Sequence, residues 1–234
     1  MLFHVTPLSA WLTEREAPDQ GSVMGQEEAP PWVPSEADAL QLANTRFRDH
    51  TEAVVALVVD DQVVDPAGPM GQSGVVEVRY LRRDPTGSYV ALERRPPLAD
   101  ALDLYPHPEG GWYRETWVSS VEVAPDGYEG TRATATAIYF LLPSGSASCW
   151  HMLRSDEIWL WQRGGALELR LGGSGDVPVE TDVVVLGNEL ESGQVLQAVV
   201  PGGTWQSAQP IGDTEVLVST IVSPGFHFAD FRAL

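Results

Sequence analysis

From Trp112 to Val222 the chain runs through short apolar or alternating segments: WYRETWVSS, TATAIYFLL, SASCWHML, EIWLWQR, ALELRL, VVVL, VLQAVV, TWQSA and EVLVSTIV. PDG, PSG, GG, GSG and PGG separate them. Such segments are short for helices, rich in β-branched and aromatic residues, and bounded by residues that turn the chain back. Many short strands at close spacing have to stack as a sandwich or close as a barrel, so an all-β unit is expected here.

Upstream the texture is different. APDQGSVMGQEEAPPWVPSE at 17–36 reads as an exposed loop. SEADALQLANTRFR reads as a helix with Ser35 as N-cap, acids in its first turn, and Leu40, Ala43 and Phe47 as its apolar stripe. VVALVVD predicts a buried strand, and VVEVRYL at 75–81 and YVALERR at 89–95 predict two more. Pro96 and Pro97 break the pattern, and ADAL at 99–102 is compatible with one helical turn. The expected organisation is therefore mainly β, with a smaller α+β domain over 1–95 followed by a β domain over 96–234.

Composition narrows the chemistry. All 14 basic residues are arginine. Without lysine there is no Schiff base, no pyridoxal phosphate attachment and no P-loop, and neither GxGxxG nor GxSxG occurs. A net charge of −19 disfavours a nucleic acid partner. Cys149 is the single cysteine, which removes intrachain disulfides and cysteine zinc clusters. The apolar run VVALVV is too short to span a bilayer, and MLFHVTPLSAW lacks the basic flank of a secretory signal. The expectation is a cytoplasmic protein with no membrane partner.

The stretch SGSASCWHMLRSDEIWLWQRG at 144–164 sets Gly145, His151, Glu157 and Gly164 at the spacing of the first cupin box, with Leu153 where a second histidine is usual. PGGTWQ supplies Pro201 and Gly203 of the second box, with Gln206 in place of its histidine. Together with HPEGGWYRETW, AIYFLLPSG, SDEIW, VVPGGTWQSA and VSPGFHFADF, in that order, residues 98–234 resemble the cupin-5 family. The resemblance implies a cupin jelly-roll (double-stranded β-helix) barrel, a small-molecule ligand and a homodimer. Cupins commonly hold a metal with three His and one Glu. Here a metal would rest on His151, Glu157 and Gln206 alone, so no metal and no other cofactor is expected.

Strand alternation puts Cys149 and His151 on one face and Trp150 on the other, and groups Glu157 with Trp159 and Trp161. In a cupin barrel the box positions point inward, which sets His151 and Glu157 beside two indoles. An imidazole and a carboxylate in such a place suit acid–base work; equally, they could be a buried pair that braces the barrel. In HPEGGWYRET, alternation places Tyr113, Glu115 and Trp117 opposite Trp112, Arg114 and Thr116. Its Gly-x-Tyr-x-Glu end is similar to the substrate-contacting strand of the nucleotide-sugar 3,5-epimerase cupins, which work without metal through a His base and a Tyr acid. That resemblance implies His151 as base, Glu157 as its orienting group, and Tyr113 or Tyr139 as acid. The implied substrate contacts are His107, Glu109, Arg114, Glu115, Cys149, Trp159, Trp161, Gln206 and His227. Arg114 and Glu115 also read as a cross-strand charge pair, and His107 and Glu109 as turn residues. His227 and Asp230 are candidates for a rim.

LFHVT at 2–6, the SEADALQLANTRFR helix and VVALVVD resemble a small uncharacterised bacterial domain with an ADP-ribosyltransferase-like fold. His4 and Thr6 match its opening strand. Its members read Phe-Ile-His-x-Ser where this chain has Trp32, Val33, Pro34 and Ser35, so a degenerate, non-catalytic module is expected. Three readings follow: a metal-independent isomerase, epimerase or dehydratase on a polar, sugar-like molecule; a cupin that binds a small ligand without converting it; and NAD-related chemistry in the first domain.

Overall fold

A computed structural model describes residues 1–16, 32–48, 53–59, 75–83 and 88–234, so most of the 17–36 loop lies outside the described residues. Close backbone contacts divide the chain into Met1–Arg95 and Pro96–Leu234.

In the first unit, β1 (Leu2–Pro7), β2 (Val54–Val59), β3 (Val75–Arg83) and β4 (Tyr89–Glu93) form an antiparallel sheet in sequence order. Helix α1 (Leu8–Glu16) follows β1 directly, and α2 (Glu36–Arg46) begins at the Ser35 cap, whose hydroxyl accepts the Asp38 amide at 3.1 Å. Ala39 and Ala43 are fully buried, and the α2 face packs with Phe3, Val54, Ala56 and Leu81. Asn44 ties the helix to the edge strand through both the amide and the carbonyl of Tyr89, at 2.7 and 2.8 Å.

The second unit is almost entirely antiparallel sheet. After α3 (Pro97–Ala101) come β5 (Tyr105–Pro106), β6 (Trp112–Val118), β7 (Glu122–Val123), β8 (Arg132–Ala133), β9 (Thr136–Leu142), β10 (His151–Leu153), β11 (Asp156–Leu171), β12 (Asp182–Leu186), β13 (Gln197–Val200), β14 (Trp205–Ser223) and β15 (Phe231–Ala233). The curled sheet runs β12-β11-β14-β9-β6-β5, with β13 added on β11 and β10 held between β14 and β15. The mainly β class expected for this region is what the chain forms.

Two details differ from the sequence expectation. EIWLWQR and ALELRL are one strand, as are TWQSA and EVLVSTIV, because their glycines bend strands rather than end them. At Gly164 φ is +102°, and a Cβ would stand 2.0 Å from the Glu215 carbonyl, so only glycine lets β14 lie this close. SASCWHML, in turn, is a strand only over His151–Leu153. The core beneath is closed by Phe140, Leu142, Trp159, Leu167, Leu169 and Val218, all essentially inaccessible.

Candidate active site

Residues directly opposite across antiparallel strands share a face. Glu115, Ile138, Thr220 and Trp159 form one such row across β6, β9, β14 and β11. Thr136, Val222 and Glu157 form the next, and Tyr113, Phe140, Val218 and Trp161 lie on the other side of the first. Where these rows meet the β10 end of the unit they leave a cavity of about 220 Å³, lined among others by His107, Glu109, His151 and Glu157.

The imidazoles reach this cavity through the HPEGG turn. The His107 amide donates to the Gly111 carbonyl and the Gly110 amide to the His107 carbonyl, both at 3.0 Å. Gly110 has φ +105°, and a Cβ there would stand 2.7 Å from the Ala147 carbonyl, so the turn lies directly on the chain leading into β10. The Cys149 amide then donates to the Glu109 carbonyl at 2.7 Å. This contact carries Glu109 to His151, with Oε2 3.1 Å from Nδ1, while Oε1 is 3.7 Å from His107 Nδ1.

The proton on His151 can be placed by its neighbours. The Cys149 carbonyl is 3.0 Å from Nδ1 and can only accept, so Nδ1 carries the hydrogen and Glu109 Oε2 lies within reach of it. Nε2 keeps its lone pair, and no hydrogen bond among the described residues uses it. Burial lowers the His151 pKa to about 4 against the opposing pull of the Cys149 carbonyl. Burial, and then the His151 charge, lowers His107 to about 3. Both rings are neutral at pH 7.

The carboxyls move the other way. Burial, then the charge of Glu157, pushes Glu109 well above the usual carboxylate range. Burial also raises Glu157, while the dipoles of Thr220, Gln206 and Trp159 work against it. Gln206 Nε2 donates to Glu157 Oε2 at 2.6 Å, and the Trp159 indole donates to Gln206 Oε1 at 2.9 Å. The Thr220 hydroxyl is buried beside Glu157. Burial and then Glu115 raise the Tyr113 phenol, which is therefore protonated at pH 7.

The remaining wall comes from the C-terminal segment. Phe226, Phe228 and Phe231 line the cavity, and the Phe231 ring stacks on His151 at 5.9 Å and 27°. This segment is fixed in three places. Arg132 Nε donates to Asp230 Oδ2 at 2.6 Å, the Phe226 amide donates to Thr136 Oγ1 at 3.0 Å, and β15 pairs with β10 so that Phe231 faces Leu153.

A model of the Cupin superfamily (DUF985) matches residues 97–234, more than half of the chain. The chain belongs to this cupin family. An uncharacterized protein of Saccharomyces cerevisiae is 31% identical over 151 residues, 58% of this chain and 73% of its own. Two solved structures cover the same 58% of the chain. One, a hypothetical protein from Leishmania major, is 35% identical with TM-score 0.53 over 84% of its length. The other, a protein from Shewanella oneidensis, is 33% identical with TM-score 0.52 over 82% of its length. Residues 1–95 lie outside the family match, and nothing in these comparisons shows the ADP-ribosyltransferase-like resemblance expected for them.

The donors present do not fit the divalent metal that cupin barrels commonly hold. Leu153 occupies the second histidine's place and lines the cavity with carbon. Gln206 is committed at both ends, its oxygen to Trp159 and its nitrogen to Glu157. Among the described residues no three His, Cys, Asp or Glu side chains are grouped to take an ion. No described helix is long and apolar enough to cross a membrane.

His107, Glu109, Tyr113, Glu115, His151 and Glu157 are brought together as expected, but several other assignments change. Trp159 and Trp161 are on the expected face yet outside the lining, Trp159 in the apolar core and Trp161 partly buried against it and donating to the Gly165 carbonyl at 2.9 Å, so the aromatic wall is phenylalanine rather than indole. Gln206 is a buried brace outside the lining. Tyr139 and Arg114 pair with each other on the outer face of β9 and β6 and do not reach the cavity. Cys149 contributes its backbone, and its thiol is outside the lining and pushed up to about 12, chiefly by burial. His227 caps the turn Phe228–Asp230 by accepting the Ala229 amide, and Asp230 is an ion-pair partner rather than a rim. Trp117 leaves the Tyr113 face because a bulge at Thr116 shifts the β6 register. The carboxyl beside His151 is Glu109 rather than Glu157, since no hydrogen bond or ion pair among the described residues joins His151 to Glu157. The three phenylalanines were the residues missed, although the spacing of SPGFHFADF carries a signal for them.

Proposed function

We propose that this cupin is a small-molecule enzyme that moves protons without a metal, as an isomerase, epimerase or dehydratase. His151 Nε2 is the base. The Cys149 carbonyl and Glu109 hold its Nδ1–H and stabilise the imidazolium formed when Nε2 takes a proton. Tyr113 is the acid that returns a proton, its phenol kept neutral by burial. Glu157, fixed by Gln206, sets the charge of the cavity and the ionisation of Glu109.

The observation that carries this reading is the tautomer of His151. Its Nδ1 is 3.0 Å from an oxygen that can only accept, which leaves the basic nitrogen unused in a small, partly open cavity. A ring held neutral at pH 7 with this lone pair free can take an activated C–H proton next to a carbonyl or imine, provided the buried imidazolium is stabilised by Glu109 and the Cys149 carbonyl.

The test is hydrogen exchange in D2O across a panel of carbonyl metabolites, followed by proton NMR. The wild-type chain should exchange one substrate C–H, and His151→Ala should lose that exchange while keeping the fold. Equal exchange by both proteins would remove His151 from the chemistry. A compound that binds the wild type and never exchanges would assign the cavity to retention instead.

A further inference from the structure

We propose that the occupant of this cavity carries a cationic group, an amine or quaternary ammonium, and that the phenylalanine corner and the glutamates form its binding subsite. The inference rests on the small-molecule reading above and adds the charge class of the ligand.

The charge of the lining is one-sided. Glu109, Glu115 and Glu157 all border the cavity, and among the described lining residues there is no arginine. The chain has no lysine. The two imidazoles are the only other ionisable nitrogens in the lining, and they are neutral at pH 7. Nothing here could hold a phosphate, pyrophosphate or carboxylate. Such a group would meet three carboxyls inside a protein of net charge −19.

The apolar wall has the geometry a cation uses. Phe226 and Phe228 cross at 81° with centroids 5.0 Å apart, and Phe231 meets them at 65° and 82°. Three rings crossing at 65–82° form a folded aromatic wall against which an alkylammonium can lie, and a cation there would favour the ionised form of Glu109 and Glu157 that burial opposes. Thr220 adds a polar group to the wall: its hydroxyl is buried, borders the cavity and lies beside Glu157, whose ionised form it favours.

A charge series of one shape tests this. Choline, its uncharged carbon isostere 3,3-dimethyl-1-butanol, and the anion 3,3-dimethylbutanoate are titrated calorimetrically into the full chain at pH 7. Choline should bind about thirtyfold more tightly than the alcohol, the scale of a desolvated cation–aromatic contact, and the anion should not bind. Glu157→Gln should cut the preference for choline over the alcohol several-fold. Glu115→Gln, at an exposed position where folding is not at risk, should reduce it by a smaller factor. Equal or tighter binding of the alcohol, any binding of the anion, or no binding of choline at tens of millimolar overturns the assignment. The two proposals fail separately. Choline preference without exchange of any substrate proton leaves the cation site and removes the catalysis, whereas C–H exchange in an uncharged carbonyl compound, with no preference for choline, does the reverse.

Discussion

Replacing Gln206 by leucine tests how the site is built. Its amide is 1% exposed and links the Trp159 indole to the Glu157 carboxyl. Leucine keeps most of the volume and removes both bonds. The buried Trp159 indole N–H then loses its 2.9 Å acceptor, which costs about 1–3 kcal/mol. Glu157 loses a 2.6 Å bond from a neutral donor, worth about 1–3 kcal/mol when the carboxyl stays buried. Because the two losses share one site they do not simply add, and about 3 kcal/mol in total is expected. For a β unit of this size that corresponds to a fall of about 10 °C in the melting transition. Trp fluorescence is the assay, since six of the eight tryptophans lie between 112 and 205. Gln209→Leu, on the same strand with a half-buried amide, is the control and should cost under about 1 kcal/mol. A Gln206→Leu loss no larger than the control's would mean that the amide does not brace Trp159 and Glu157, and the reasoning about Glu157 would fall with it.

Further predictions follow from the same geometry. Gly164→Ala forces a Cβ to within 2.0 Å of the Glu215 carbonyl at φ +102°, so it should cost at least about 3 kcal/mol by denaturant titration or prevent folding of the barrel. Asp230→Ala releases the buried Arg132 contact, and hydrogen exchange should rise over 224–234 while β11 and β14 stay protected. The pH dependence has two limbs. His151 and His107, lowered to about 4 and about 3, bind fewer protons folded than unfolded, so stability should fall as pH drops from about 6.5 towards 4. Glu109 and Glu157 are raised, so they bind more protons folded, and their contribution should decline as pH rises from about 4.5 through their folded values. Thermal melts across pH 4–9 should therefore show a maximum, and Glu109→Gln should flatten its alkaline side.

Local patterns were sufficient where one strand or one turn decides the outcome. Ser35 capped its helix because a hydroxyl followed by acids and an apolar stripe leaves little alternative. Box spacing placed His151 and Glu157 inside, and alternation placed Tyr113 and Glu115 together. Alternation gives the face of a residue but not its depth along the barrel, which is why Trp159 and Trp161 looked like cavity walls but lie in the core and against it. One extra residue at Thr116 was enough to turn Trp117 away, and nothing in RETWV marks that bulge. Helix α1 was not read at all, since LSAWLTERE has no clear apolar stripe. Glu109 is 42 residues from His151 in sequence and meets it through a backbone contact that only the folded sheet creates.

The most direct test of the site is the protonation of His151 itself. Nitrogen-15 labelling of the five histidines, with His151 assigned by comparison with His151→Gln, reads both ring nitrogens by NMR. The predicted result is a neutral ring at pH 7 with hydrogen on Nδ1 and a free lone pair on Nε2, unchanged when zinc is added. An imidazolium at that pH, hydrogen on Nε2, or a shift on addition of zinc would contradict the account.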